Sequence, residues 1–172
     1  MTPEATPTIY TIGHSHAPLA RFLALLLDRR VEVVVDARSR PYSRFAPQYN
    51  QKALAAALEA AGIRYEYRGD ALGGKPSDPS LYHGGQLPAK GDDLLHALDY
   101  SQVAALPAYQ AAIDWLLSEG AARRLCVLCS EEDPARCHRH HLIAQSLMER
   151  GARVLHIRHD GRVEEAERER DA

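Results

Sequence analysis

The sequence predicts a single α/β domain: a mainly parallel sheet of about five strands with helices on both faces. Three observations predict it. Short apolar runs alternate along the 172 residues with stretches whose apolar residues recur at helical spacing. One of those runs, Val31 to Val35, is almost wholly β-branched and apolar, as a central strand covered on both faces should be. The length suits one core, large enough to fold without metal or disulfide support.

Each element follows in order. Met1 to Thr8 is a polar, proline-bearing lead-in, and Ile9 to Ile12 is a strand that breaks at Gly13. Pro18 opens a helix carrying Leu19, Phe22, Leu23, Leu26 and Leu27 on one face. The Val31 to Val35 strand ends in Asp36-Ala37-Arg38, and Ser39 to Asn50 reads as a loop with two prolines. Gln51 to Ala61 is an alanine-rich helix stopped by Gly62, and Ile63 to Tyr67 is a third strand. Asp70 to Leu106 differs in kind: its glycine pairs, prolines and sparse apolar residues predict a lid-like insertion with a weak helical piece at Leu94 to Leu98. A helix from Pro107 ends at Gly120, Leu125 to Cys129 is a buried strand, and Asp133-Pro134 predicts the start of a helix that Gly151 stops. Arg153 to Ile157 is the last strand, and residues 160–172 form a charged tail expected to fray.

A formal charge of −2 gives no overall pull toward nucleic acid or an anionic membrane, so any such affinity must be local. The start of the chain has neither the basic residues nor the apolar run of a signal peptide, and no stretch approaches a membrane span. Three cysteines, an odd number, fit free thiols in a reducing compartment. The expectation is a cytoplasmic protein with no membrane partner.

In a parallel sheet, ligands bind outside the carboxyl ends of the strands. The chemistry-bearing residues fall there: Gly13-His14-Ser15 after the first strand, Asp36-Ala37-Arg38 after the second, Cys129-Ser130-Glu131 after the fourth. Cys137, His138 and Arg139 follow in the expected first turn of the next helix. Asp36 and Glu131, from two strand ends, suit general acid and base work, with His14 as a further candidate. Cys129 is a candidate nucleophile in a rhodanese- or phosphatase-like loop. Against it, Arg136 lies seven residues on rather than six, and Glu131, Glu132 and Asp133 bring negative charge. A Cys126–Cys129 redox pair is disfavoured, because a separation of three on a strand points the side chains to opposite faces. Cys137 and His141 share a helical face, but the spacing matches no closed zinc pattern, and neither metal nor cofactor is expected. Ser15, Arg38, Arg44, Tyr49, Cys137, His138 and Arg139 are the candidate substrate-binding residues. Arg38, Arg40 and Arg44 are interleaved with Tyr42, Phe45 and Tyr49, a composition suited to phosphates and stacked bases.

The segments TIGHS (Thr11 to Ser15), VVDARSRPYSRFAPQYN (Val34 to Asn50), ALGG (Ala71 to Gly74) and LCSEEDPARCHRHHLIA (Leu128 to Ala144) together resemble the domain of unknown function 488 family, from about Ile9 to Ile157. The resemblance implies a shared α/β fold and site but no reaction. The family's acidic residue after the first cysteine falls on Glu131, its Cys-His-Arg triplet on Cys137, His138 and Arg139, and its Asp-x-Arg on Asp36 and Arg38. His140-His141 departs from the small or aliphatic residues more usual there. The leading expectation is an enzyme acting on a phosphate-bearing small molecule or nucleic acid through paired carboxylates and arginines. Sulfur or phosphoryl transfer through Cys129, and a non-catalytic nucleotide- or nucleic-acid-binding module, are the alternatives.

Overall fold

The computed structural model describes residues 6–169. Residues 1–5 of the lead-in expected at Met1 to Thr8 and the last residues of the expected tail, 170–172, lie outside the described residues. Strands β1 (Thr8–Gly13), β2 (Val33–Asp36), β3 (Arg64–Tyr67), β4 (Leu125–Cys129), β5 (Arg153–Ile157) and β6 (Val163–Glu165) form one sheet in the order β3-β2-β4-β1-β5-β6. All pairs are parallel except β5 with β6, which is antiparallel. The α/β class and mainly parallel sheet are as the sequence predicts. A sixth strand comes from the charged tail, where Glu164 and Glu165 meet Arg158 and Arg153 and the Ala166 amide bonds the Val154 carbonyl.

Helices α1 (Leu19–Asp28) and α2 (Gln51–Ala60) cover one face, where Phe22, Leu25, Leu26, Leu54 and Leu58 pack on Ile12, Val34, Cys126 and Leu128. The other face carries α6 (Pro107–Ala122) and α7 (Gln145–Glu149), with Tyr109, Ile113, Leu116 and Leu147 against Val33, Val35, Leu125 and Val127. Each fully buried leucine or isoleucine contributes roughly 1.5–3 kcal/mol, so the two layers are secured by burial rather than by helix propensity. Cys126 faces the α1 side, the opposite side from Val127, as strand alternation requires.

Two glycines deserve comparison. Gly151 ends its helix at φ 90°, as predicted, whereas Gly120 does not stop α6, which runs on to Ala122. Its role is close approach: a Cβ there would lie 2.9 Å from Ile9 Cγ1.

The insertion is built of short turns: α3 (Gly69–Leu72), α4 (Leu94–Ala97), α5 (Tyr100–Ala104) and two 3₁₀ turns between α3 and α4. Leu81, Tyr82, Leu98 and Val103 are buried in the α6-side core, so the body of the segment is packed on the domain. The helix expected from Pro134 is not continuous. Asp133 caps only the Ala135 amide, a single 3₁₀ turn covers Pro134–Arg136, and Cys137 is extended at φ −140°, ψ 143°. Arg139–Ala144 is then π-helical and leads into α7.

Candidate functional site

Connections leaving β1 and β2 cross one face of the sheet and the connection leaving β4 crosses the other, while β4 lies between β2 and β1. A crevice must therefore open at the carboxyl end of β4, the topological switch point of the sheet. A cavity of about 240 Å³ lies there. Arg38, Ser39 and Arg40 from the end of β2, Cys129, Ser130 and Glu131 from the end of β4, and Arg136, Cys137 and His138 beyond it supply one part of the wall. The insertion supplies the remainder: Gly74, Lys75, Leu94, Leu95 and Tyr100.

At the end of β2 every polar group is matched. The Asp36 carboxylate accepts from the Arg38 amide and Nε (3.1 and 2.9 Å), from Arg38 Nη2 (2.8 Å) and from the Tyr65 hydroxyl (2.5 Å). It is fully buried and does not line the cavity. Arg38, 5% exposed, also donates Nη1 to His14 Nε2 at 3.2 Å. His14 Nδ1–H donates to the Ser15 carbonyl, so Nε2 is the accepting nitrogen and the ring is neutral. Burial holds the His14 pKa down at about 4, with the Arg38 charge acting in the same direction. The ring stacks on Tyr49, whose hydroxyl donates to the Ala17 carbonyl. His14, Ser15 and Tyr49 thus support Arg38 from behind, outside the cavity wall. Ser15 holds φ 43° while its amide bonds the Ser130 carbonyl, tying the β1 turn to the β4 loop.

Arg139 is likewise a brace. Fully buried, it donates Nε to Thr11 Oγ1 at 3.1 Å, Nη1 to the Glu131 carbonyl and Nη2 to the Glu132 carbonyl at 2.9 Å. Its donors fix the acidic loop from beneath, instead of facing a ligand as the sequence predicts. Gly13 completes the fit, since a Cβ there would lie 1.6 Å from the Glu131 carbonyl oxygen. Arg44 is exposed beside the Phe45 ring, and Tyr42 and Phe45 are 71% and 76% exposed outside the cavity. Arg68 lies over the Trp115 ring at 4.0 Å.

Of the three successive acids, Glu132 is bound by Arg158 through both oxygens at 2.9 Å, which pulls its pKa down to about 2, and Asp133 is the cap. Glu131 alone lines the cavity, exposed and with no ion pair among the described residues. Negative charge on the wall is one carboxylate facing Arg38, Arg40, Lys75 and Arg136.

The sulfur chemistry gathers at the end of β4. The extended backbone at Cys137 turns its thiol back toward Cys129, and the donor atoms of Cys129, Cys137 and His138 all lie within 4.8 Å of one another. His138 Nδ1 is 3.5 Å from Cys129 Sγ and 3.7 Å from Cys137 Sγ. Its Nε2 sits 2.9 Å from the Leu72 carbonyl, an acceptor only, so Nε2 carries the proton and Nδ1 faces the thiols. Gly74 backs this ring; a Cβ there would approach its Cγ to 2.8 Å. The Cys129 thiol beside it, with His138 and Arg139, holds Cys137 well below the usual thiol range, while burial pushes Cys129 up. The Arg139 amide points at Cys137 Sγ from 3.5 Å. The sequence offered Cys129 as a candidate nucleophile and Cys137 as a binding residue, and both thiols stand on the same cavity wall.

Two groups of donors could hold a metal ion: Cys129, Cys137 and His138 in the cavity, and His140, His141 and Glu169 behind it. The i, i+4 face expected to join Cys137 to His141 does not form, because the chain is extended at Cys137. Lys75, Leu94, Leu95 and Tyr100 escaped the sequence reading, since nothing in a glycine- and proline-rich insertion shows which side chains fold back on a strand end. No described helix is long and apolar enough to cross a membrane.

A family model described as "Domain of unknown function DUF488" matches residues 18–146. No curated protein and no solved structure matches the chain.

Proposed function

The chain belongs to the DUF488 family, whose description assigns no reaction, and from this premise we propose an enzyme that acts through Cys137 on a small phosphate-bearing substrate. The observation that carries the proposal is the convergence of Cys129, Cys137 and His138 on one cavity whose wall holds four cationic side chains. Nucleophile, base and orienting group stand in the order such chemistry requires: Cys137 Sγ, His138 Nδ1, and the Leu72 carbonyl that fixes the ring. Arg40, Lys75 and Arg136 bind the anionic oxygens, and Leu94, Leu95 and Tyr100 give the substrate an apolar wall.

In this reading His138 Nδ1 takes the proton of the Cys137 thiol, and the thiolate forms a bond to phosphorus as the bond to the leaving oxygen breaks. The electron pair departs with that oxygen, which takes the proton from His138. Water, deprotonated by Glu131, then cleaves the phosphorus–sulfur bond and frees phosphate and the thiolate, and the proton on Glu131 returns to Cys137 and resets the site. Asp36, saturated by Arg38 and Tyr65, serves as an orienter of Arg38 and performs no acid–base step.

The test is labelling of the purified protein with a radioactive or mass-tagged phosphoryl donor panel, followed by peptide mapping. The expected adduct is on Cys137, absent from Cys137→Ser and protected by inorganic phosphate. Undiminished turnover in Cys137→Ser would refute the proposal, as would loss of thiol reactivity on adding zinc together with recovery of activity, which would make the same three donors a metal site.

A further inference from the structure

His140 and His141 stand side by side on the π-helical stretch, their rings 5.1 Å apart at 76° to one another. Each has one nitrogen engaged away from the space between them. His141 Nε2 lies 2.6 Å from the Ala135 carbonyl, so it must carry the proton, and Nδ1 is a bare lone pair whenever the ring is neutral. That Nδ1 faces Glu169 Oε1. His140 Nδ1 contacts His156 Nε2 at 3.1 Å, and His156 Nδ1 contacts Thr11 Oγ1 at 2.5 Å. His140 Nε2 faces the same Glu169 oxygen at 3.7 Å.

The two ring nitrogens and the Glu169 carboxylate lie within 4.8 Å of one another, close enough for one divalent ion to meet all three. We propose that His140, His141 and Glu169 form a binding site for a divalent transition metal, zinc being the ion the donor set suits. Two imidazoles and one carboxylate are borderline ligands of the kind that bind zinc, with further positions open to water. Both imidazoles have the outer hydrogen-bonding partner that metal-bound histidines carry, a carbonyl on His141 and an imidazole on His140.

The third ligand is placed as deliberately as the first two. Gln145 Oε1 accepts from the Glu169 amide at 2.9 Å, and Gln145 Nε2 donates to the Glu167 and His140 carbonyls. The segment after β6 is therefore tied to the helix that bears the histidines before any ion binds. Tyr100, whose ring stacks on His141 at 6.4 Å, lines the catalytic cavity with its other surface, so the ion would fasten the outer wall of that cavity. This site is independent of the cysteine cluster and of the reaction proposed there.

The full chain, stripped with chelator, is titrated with Zn²⁺ by calorimetry and with Co²⁺ by absorption spectroscopy. One ion per chain is expected, with cobalt bands lacking thiolate charge transfer. Glu169→Gln, a change at a half-exposed side chain, should weaken binding at least about tenfold, and His140→Ala with His141→Ala should abolish it. Cys129→Ser with Cys137→Ser should leave it intact. Circular dichroism checks that each variant is folded. Binding lost only in the cysteine variants, or unchanged in Glu169→Gln, or no saturable binding at all, overturns the proposal.

Discussion

The ends of β2 and β4 lie side by side and carry equally reactive residues, yet they are finished in opposite ways. At β2, Asp36 accepts four hydrogen bonds and Arg38 bridges it to a neutral His14, all of it buried. At β4, two thiols and an imidazole nitrogen face a cavity, held by one another and by the Arg139 amide, which points at Cys137 Sγ. Saturation separates the two sets: matched groups hold shape, and unmatched ones remain available for a ligand.

The contrast is sharpened by substitutions on either side. Asp36→Ala strands the buried Arg38 guanidinium, and urea unfolding should show a loss of about 3–5 kcal/mol. A loss below 1 kcal/mol would mean that the β2 end is not the rigid half. Gly13→Ala drives a methyl into the Glu131 carbonyl, so about 1–3 kcal/mol should be lost, with weaker phosphate binding as the β4 loop shifts. An unchanged melting temperature would show that the loop is free to move.

Acid should act through two buried, neutral histidines. His14 is held neutral with a pKa of about 4 and His156 with one of about 3, both below the unfolded value of 6.5. Between those values the unfolded chain binds more protons than the folded one, so stability is full above pH 6.5 and falls as the pH drops toward 4. Each group contributes a slope of up to about 1.4 kcal/mol per pH unit. Equal urea midpoints at pH 7 and pH 5 would contradict this. Cys137→Ser, on the unmatched side, should change stability least, by less than about 1 kcal/mol, since a hydroxyl can take over the Arg139 amide and His138. A large loss would make Cys137 a structural residue.

The strands and the helices on either side of the sheet were legible because burial on a sheet leaves a periodic pattern, and Val31 to Val35 and Leu125 to Cys129 carry it. The gathering of chemistry at the strand ends was legible too, since it follows from parallel topology. What remained hidden was which polar side chains are buried. Arg139 sits in a Cys-His-Arg run with nothing to distinguish a brace from an anion ligand until Thr11 and the Glu131 carbonyl are seen beneath it. Tyr49 reads as a stacking platform and is a core anchor. The break at Cys137 was masked by Asp133-Pro134, a strong local start signal that ends after one 3₁₀ turn, where the chain becomes extended at Cys137.

The π-helical stretch at Arg139–Ala144 has a bearing on descent. A wide turn holds one residue more than an α-helical turn, so a one-codon insertion can create it and a one-codon deletion erase it. Erasure would rotate whatever precedes it by about 100° relative to α7. Leu142, Ile143 and Leu147 could keep their places in the core while His138 and Cys137 swung away from Cys129. A one-residue deletion in this stretch is thus expected to part the two thiols while leaving α7 packed.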